Sequence, residues 1–267
     1  MVPLASNKAV RFKALLSPAI GLGVFLGVSS CSSRDDNDEA RHIVRVAVTA
    51  NFAAAHEELA RRFQVHSGVE VETSVGSTGQ LYAQIMNGAP YDVFLSADVA
   101  RPDRLESDDR IVPGTRFTYA VGQLVLYASG LRLADSPELT LRERSFQHLA
   151  IANPRIAPYG AAARQVLERW GLWDELQTRL VQGESVGQAF QFVESGAAEL
   201  GFVALSQVTA KRQGKYWIVP REFYQPLRQD AVLLRTGERS SEARAFLEFL
   251  RSEEGQQIIT HFGYALP

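Results

Sequence analysis

The sequence predicts an α/β fold in two lobes, each built on a mixed, mainly parallel sheet. Two observations predict it. From residue 43 on, strand-like and helix-like patterns alternate, which is the mark of α/β layers. And the alternation occurs as two sets, one ending near residue 98 and a second filling the rest of the chain. At 267 residues, 46% hydrophobic and 22% charged, the chain has the material for one large domain or two smaller ones.

The first set opens with "IVRVAVT" (43–49), alternating and β-branched, a strand. "FAAAHEELARRFQVHSG" (52–68) has helical spacing, with Phe52, Ala55, Leu59 and Phe63 on one side and a stop at Gly68. "VEVETSV" (69–75) is a strand, "QLYAQIMNG" (80–88) a short helix, and "YDVFLSA" (91–97) a buried strand. In the second set, "QLVLYAS" (123–129) and "HLAIANP" (148–154) read as strands and "YGAAARQVLERWG" (159–171) as a helix. "DELQTRLV" (174–181) reads as helical, "GQAFQFVESG" (187–196) as a helix, and "LGFVAL" (200–205), "YWIVP" (216–220) and "AVLLR" (231–235) as strands. The chain closes on "SSEARAFLEFLRSEEGQQIITHFGY", a helical run. No internal repeat stands out.

Four strand-to-helix turns share one chemistry. In "TANF", Thr49 ends a strand and Asn51 stands where an N-cap belongs. "GSTG" (76–79) offers Ser77 and Thr78. "RIAPYGAAA" puts Pro158 at a helix start, followed by Tyr159, and "ESVGQAF" puts Ser185 as a cap before Val186. Each turn exposes free N–H groups, and a helix start favours an anion. A plain cap explains any one of them, because capping alone contributes about 1 kcal/mol. Their convergence in space is what would make a site. No Lys or Arg lies between Arg62 and Arg101. Glu184 is the one carboxylate beside these turns and is expected to point away; donors without an acceptor suit an oxyanion that carries no proton, such as molybdate or sulfate, better than phosphate, which keeps a proton and needs an acceptor.

Charge adds little. The formal net charge is −2, which gives no reason to expect nucleic acid or an anionic membrane surface as partner. A single cysteine excludes an internal disulfide framework and a multi-Cys metal site. The five histidines show no metal-ligand spacing, and His56 and His66 are expected on a solvated helix face. Trp170, Trp173 and Trp217 are expected in packing.

Residues 1–30 hold Lys8, Arg11 and Lys13, no acid, and an apolar stretch from Ala19 to Val28, the layout of a secretory signal. Val28-Ser29-Ser30-Cys31 resembles a bacterial lipobox, with Cys31 as the lipid-modified first residue of the mature chain. Residues 31–42 then read as a flexible tether.

"VAVTANF" (46–52), "GSTGQLYAQIMNGAPYDVFLSAD" (76–98), "RFTYAVGQLVLYA" (116–128), "IANPRIAPYGAAARQVL" (151–167), "SVGQAF" (185–190) and "LGFVALSQ" (200–207) together resemble the periplasmic molybdate-binding proteins, the solute receptors of molybdate ABC importers. The resemblance covers nearly all of residues 43–267, and the long second block is its most specific part. It implies a type II periplasmic-binding-protein fold, non-enzymatic, with no cofactor, closing over molybdate or tungstate. It implies that Ala50, Asn51, Ser77, Thr78, Tyr159 and Val186 meet the oxyanion. It implies as partner an ABC-type permease in the inner membrane, and a monomeric receptor outside the cytoplasm; the lipobox adds the expectation of a lipid anchor at Cys31. The lobes are expected at 43–122 with 230–267, and at 123–229. Two departures bear on the donor count: Ala50 stands where some members carry a hydroxyl, and Ala204 where others carry a tyrosine.

A rival reading starts from "GESVG" (183–187), which matches the G-x-S-x-G elbow, with Asp230 and His261 following in hydrolase order. Against it, the elbow needs a strand running into the serine, and "DELQTRLVQ" reads as helix. Two more readings are compatible with these residues: a receptor for sulfate or another oxyanion, and a protein-interaction lipoprotein that kept the fold and lost the ligand.

Overall fold

The structure is a computed structural model that describes residues 43–130, 136–143, 145–211 and 214–267. The expected signal, tether and Cys31 lie outside the described residues.

The first unit begins with β1 (Ile43–Thr49), α1 (Ala53–Ser67), β2 (Glu70–Gly76), α2 (Thr78–Met86), β3 (Val93–Leu95), α3 (Ala100–Ser107) and β4 (Phe117–Gly122). The second unit follows: β5 (Leu124–Ala128), α4 (Pro137–Glu143), β6 (Leu149–Ala152), α5 (Pro158–Arg169), α6 (Trp173–Leu176), β7 (Leu180–Gly183), α7 (Val186–Glu194), β8 (Leu200–Ala204), α8 (Leu205–Lys211) and β9 (Lys215–Ile218). The chain then returns with β10 (Leu227–Leu233), α9 (Ser241–Arg251) and α10 (Glu253–His261).

Each unit holds a five-stranded sheet, ordered β2-β1-β3-β10-β4 and β7-β6-β8-β5-β9. In the first, β2, β1 and β3 are parallel, β10 is antiparallel to β3, and β4 is antiparallel to β10. In the second, β7, β6 and β8 are parallel, and β5 runs antiparallel to both β8 and β9. Each sheet therefore has one reversed strand, second from an edge, and the others run one way. The mixed, mainly parallel arrangement expected from the alternation is present twice.

The alternation of β1 builds a core on both faces, as helix-covered parallel sheets require. Val44, Val46 and Val48 face one side with Val93, Leu95, Ala231 and Leu233, where Leu59 and Phe63 of α1 and Phe246 of α9 cover them. Ala47, Phe94 and Val232 face the other, against Leu81 and Ile85 of α2 and Leu105 of α3. The second sheet is packed around Leu126, Ile151, Phe202 and Val203, with Val166 and Leu167 of α5 and Val193 of α7 on it.

Several elements differ from expectation. The run 174–181 is not one helix: α6 gives way to a 3-10 turn at Gln177–Arg179, then to β7. The terminal helical run breaks at Ser252, whose Oγ caps α10 by accepting from Gly255 N at 3.2 Å. β10 starts four residues before the expected strand, and Leu205 opens α8 instead of ending a strand. His56 is buried, not solvated: it turns onto the α9 side, edge-on to Phe246, with Nε2 2.9 Å from Thr73 Oγ1. Burial holds its imidazole down at about 4, so it is neutral at pH 7.

Candidate functional site

Four helices start where a parallel strand ends: α1 after β1, α2 after β2, α5 after β6 and α7 after β7. In open α/β sheets these carboxyl ends are where ligands sit. The four starts meet at one narrow cavity, with a water-accessible volume of about 10 Å³, lined by Thr49, Ala50, Asn51, Gly76, Ser77, Thr78, Ala97, Ala157, Pro158, Tyr159, Ser185 and Val186. All six residues expected at the oxyanion lie on this wall. So do Thr49 and Gly76, read from the sequence only as parts of the turns, and Ala97 and Ala157, which the turns did not single out. The lining has no lysine, arginine, aspartate or glutamate.

The donors are what the helix starts leave over. The N–H groups of Asn51, Thr78, Tyr159 and Val186 have no hydrogen-bond acceptor among the described residues. The Thr78 hydroxyl is buried with no partner, an arrangement that costs about 1–3 kcal/mol unless something fills it. Ser77 forms a capping box, its Oγ accepting from Gln80 N while Gln80 Oε1 takes Ser77 N–H. Ser185 Oγ likewise accepts from Gln188 N at 3.2 Å. Accepting a hydrogen bond leaves a serine hydroxyl its own proton to donate. Ala50 offers less: its N–H goes to Gly76 O at 2.9 Å, so it contributes a methyl wall. Asn51 is not the N-cap of α1. Phe52 holds that position without a side-chain cap, and the Asn51 amide turns to Gln229 Oε1 at 2.9 Å and Tyr264 OH at 3.1 Å.

The two units touch around the cavity. Gly79 N donates to Ile156 O at 2.8 Å, and Ser206 Oγ to Asn51 O at 2.7 Å. Arg101 Nη2 reaches Arg155 O at 3.3 Å, while its other nitrogen pairs with Asp98. Behind the cavity lie the hydroxyls of Tyr119, Tyr159 and Tyr264, all pushed up by burial and therefore uncharged. The Asp230 carboxylate is held away from them by Arg116 Nε and Thr118 Oγ1, each at 2.8 Å.

The strand before Ser185 removes the sequence-based objection to a nucleophile elbow, since β7 runs straight into that turn. Hydrogen bonding supplies a better one. Ser185 serves as a helix cap, Asp230 belongs to Arg116 and Thr118, and His261 is exposed at the end of α10. No hydrogen bond joins these three, so no relay exists for a proton.

A family model described as bacterial extracellular solute-binding protein matches residues 44–265. The chain is 47% identical over 226 residues to the molybdate-binding protein ModA of Azotobacter vinelandii, covering 84% of this chain and 90% of that one. It is 44% identical over 221 residues to the molybdate-binding protein ModA of Rhodobacter capsulatus, covering 83% and 87%. Among solved structures it resembles the Azotobacter vinelandii periplasmic molybdate-binding protein, with a TM-score of 0.81 at 43% identity over 84% of this chain and 99% of that one. The two sheets, the cavity at their helix starts and these matches lead to one conclusion: the chain belongs to the family of bacterial extracellular solute-binding proteins.

Proposed function

We propose that the protein captures molybdate, and with it tungstate, in this cavity and delivers it to an ABC-type membrane permease. The observation that carries the reading is a small cavity walled by hydrogen-bond donors and free of ionisable acids and bases. Its water-accessible volume of about 10 Å³ leaves room for the centre of one small group, far below the ~300–1,000 Å³ of ordinary organic-ligand sites. The absence of a carboxylate disfavours an oxyanion that brings a proton. The identity of 47% to a molybdate-binding protein supports the metal oxyanion over sulfate.

In this reading the N–H groups of Asn51, Thr78, Tyr159 and Val186, with the hydroxyls of Ser77 and Thr78, hold the oxygens, and Ala50 closes the wall. Each such bond to a charged oxygen contributes about 1.5–3 kcal/mol, and each helix start adds about 0.3–1 kcal/mol for a negative charge. The lobes divide where the chain passes between sheets, at Gln123 and again between Ile218 and Leu227. The role is binding and release, without covalent chemistry. Cys31 carries the lipid that keeps a monomeric receptor at the membrane outside the cytoplasm. Millimolar molybdate should raise the melting temperature through linkage, and calorimetric titration with molybdate, tungstate, sulfate and phosphate should rank the metal oxyanions first. No thermal shift with either metal oxyanion overturns the reading.

A further inference from the structure

We infer that Gln229 is the positioning residue that ties the anion donors of the first unit to those of the second; this rests on the oxyanion reading above. Gln229 lies on β10, where pairing with β4 slips between Gln229 and Asp230. It is fully buried and does not line the cavity. Its Oε1 accepts from Asn51 Nδ2 at 2.9 Å and from Tyr119 OH at 3.1 Å. Its Nε2 faces Tyr159 OH at 3.4 Å. The single proton of Tyr119 OH is shared between Gln229 Oε1 and Ser96 O at 3.2 Å.

The consequence lies in what the partners do. Asn51 lies in the turn between β1 and α1, and Tyr159 is the second residue of α5 in the other unit. Each lines the cavity with a main-chain N–H that has no acceptor among the described residues, and turns its side chain to Gln229. One amide therefore sets the orientation of both peptide donors from behind. Space is reserved for the contact: a Cβ on Gly122 would collide with the Tyr159 hydroxyl and stand 2.7 Å from Gln229 Nε2.

The groups around Gln229 leave it in a neutral setting. From β4, α5 and the C-terminal segment come the hydroxyls of Tyr119, Tyr159 and Tyr264. On β10 the flanking charges are Arg228 and Asp230, both turned to Thr118, with Arg116 on Asp230. Asn51 Nδ2 is the contact from the β1 turn.

Gln229→Glu makes this testable. A neutral carboxyl can accept from Asn51 and Tyr119 on one oxygen and donate to Tyr159 from the other, as the amide does. An ionised one loses that donor and sets a negative charge behind the anion. Burial raises a carboxyl's pKa, so the proton returns on mild acidification. Molybdate affinity is measured by calorimetry at pH 8 and pH 5.5 for wild type, Gln229→Glu and Gln229→Leu. Wild type, which shares the His56 titration, should differ by less than about threefold between the two pH values. Gln229→Leu should bind about tenfold more weakly or worse at both. Gln229→Glu should be about a hundredfold weaker at pH 8 and recover at least about tenfold at pH 5.5. Gln229→Leu within about threefold of wild type, or a Gln229→Glu deficit that ignores pH, overturns the inference. If Gln229→Leu fails to fold, the isosteric glutamate decides alone. If wild type binds no molybdate at all, the oxyanion reading fails first and takes this role with it.

Discussion

Three hydroxyls at the helix starts beside the cavity, Ser77, Thr78 and Ser185, look alike in sequence and differ in what they have left to give. Ser77 and Ser185 each accept from a backbone N–H of their own helix, and keep a proton to donate. Thr78 Oγ1 is buried and bonded to nothing among the described residues, so its full capacity faces the cavity. Thr78→Val keeps the shape and removes the hydroxyl. It should weaken molybdate binding by about 1–3 kcal/mol in calorimetry while leaving the fold intact; unchanged affinity removes that hydroxyl from the site. Hydroxyls at helix starts are legible in sequence because capping is local. The Asn51 amide was not. Its partners, Gln229 and Tyr264, lie 178 and 213 residues away, and no neighbouring residue signals them.

At the level of elements, the strands and helices with strong patterns were legible, among them β1, α1, β2, α5 and α7. The failures have physical causes. β7 is a four-residue edge strand, largely half-buried, and follows directly on a helix and a 3-10 turn, so its pattern blends into theirs. α3 buries only Pro102 and Leu105, too little to show a periodic face. The pattern of α1 identifies the helix yet points its buried His56 to water, because the α9 face that covers it arrives from the far end of the chain. That histidine makes stability depend on pH. The native imidazole binds a proton only near pH 4, whereas an unfolded one does so near 6.5. Its contribution is therefore complete above about 6.5, and declines as pH falls toward 4, where the native form begins to charge. The full loss is about 3 kcal/mol. Urea unfolding at pH 7 and pH 4.5 should show most of that drop in wild type, and a smaller drop in His56→Leu. Equal drops in both would place the acid sensitivity elsewhere.

For the whole molecule, the two units are brought together by backbone as well as side chains. Gly79 has no room for a side chain: a Cβ there would lie 2.8 Å from Ile156 Cβ and 3.0 Å from Ile156 O. Gly79→Ala should therefore wedge the units apart without harming either, since alanine is the better helix residue by about 1 kcal/mol. Molybdate affinity should fall about tenfold or more, and small-angle scattering should show a larger radius of gyration with ligand than wild type has. Wild-type affinity and compaction would mean that Ile156 simply yields.

The reversed strands differ in one respect that governs the order of assembly. All strands of the second sheet come from one continuous stretch, residues 124–218. The first sheet is interrupted: β10 sits between β3 and β4, and Asp230 meets Thr118 across 112 positions of sequence. Until that late segment is synthesised, β4 lacks its hydrogen-bonded neighbour, and the face under α1 lacks the helices that cover it. A nascent chain can thus complete its middle before its beginning, and loss of the last forty residues would undo the part made first.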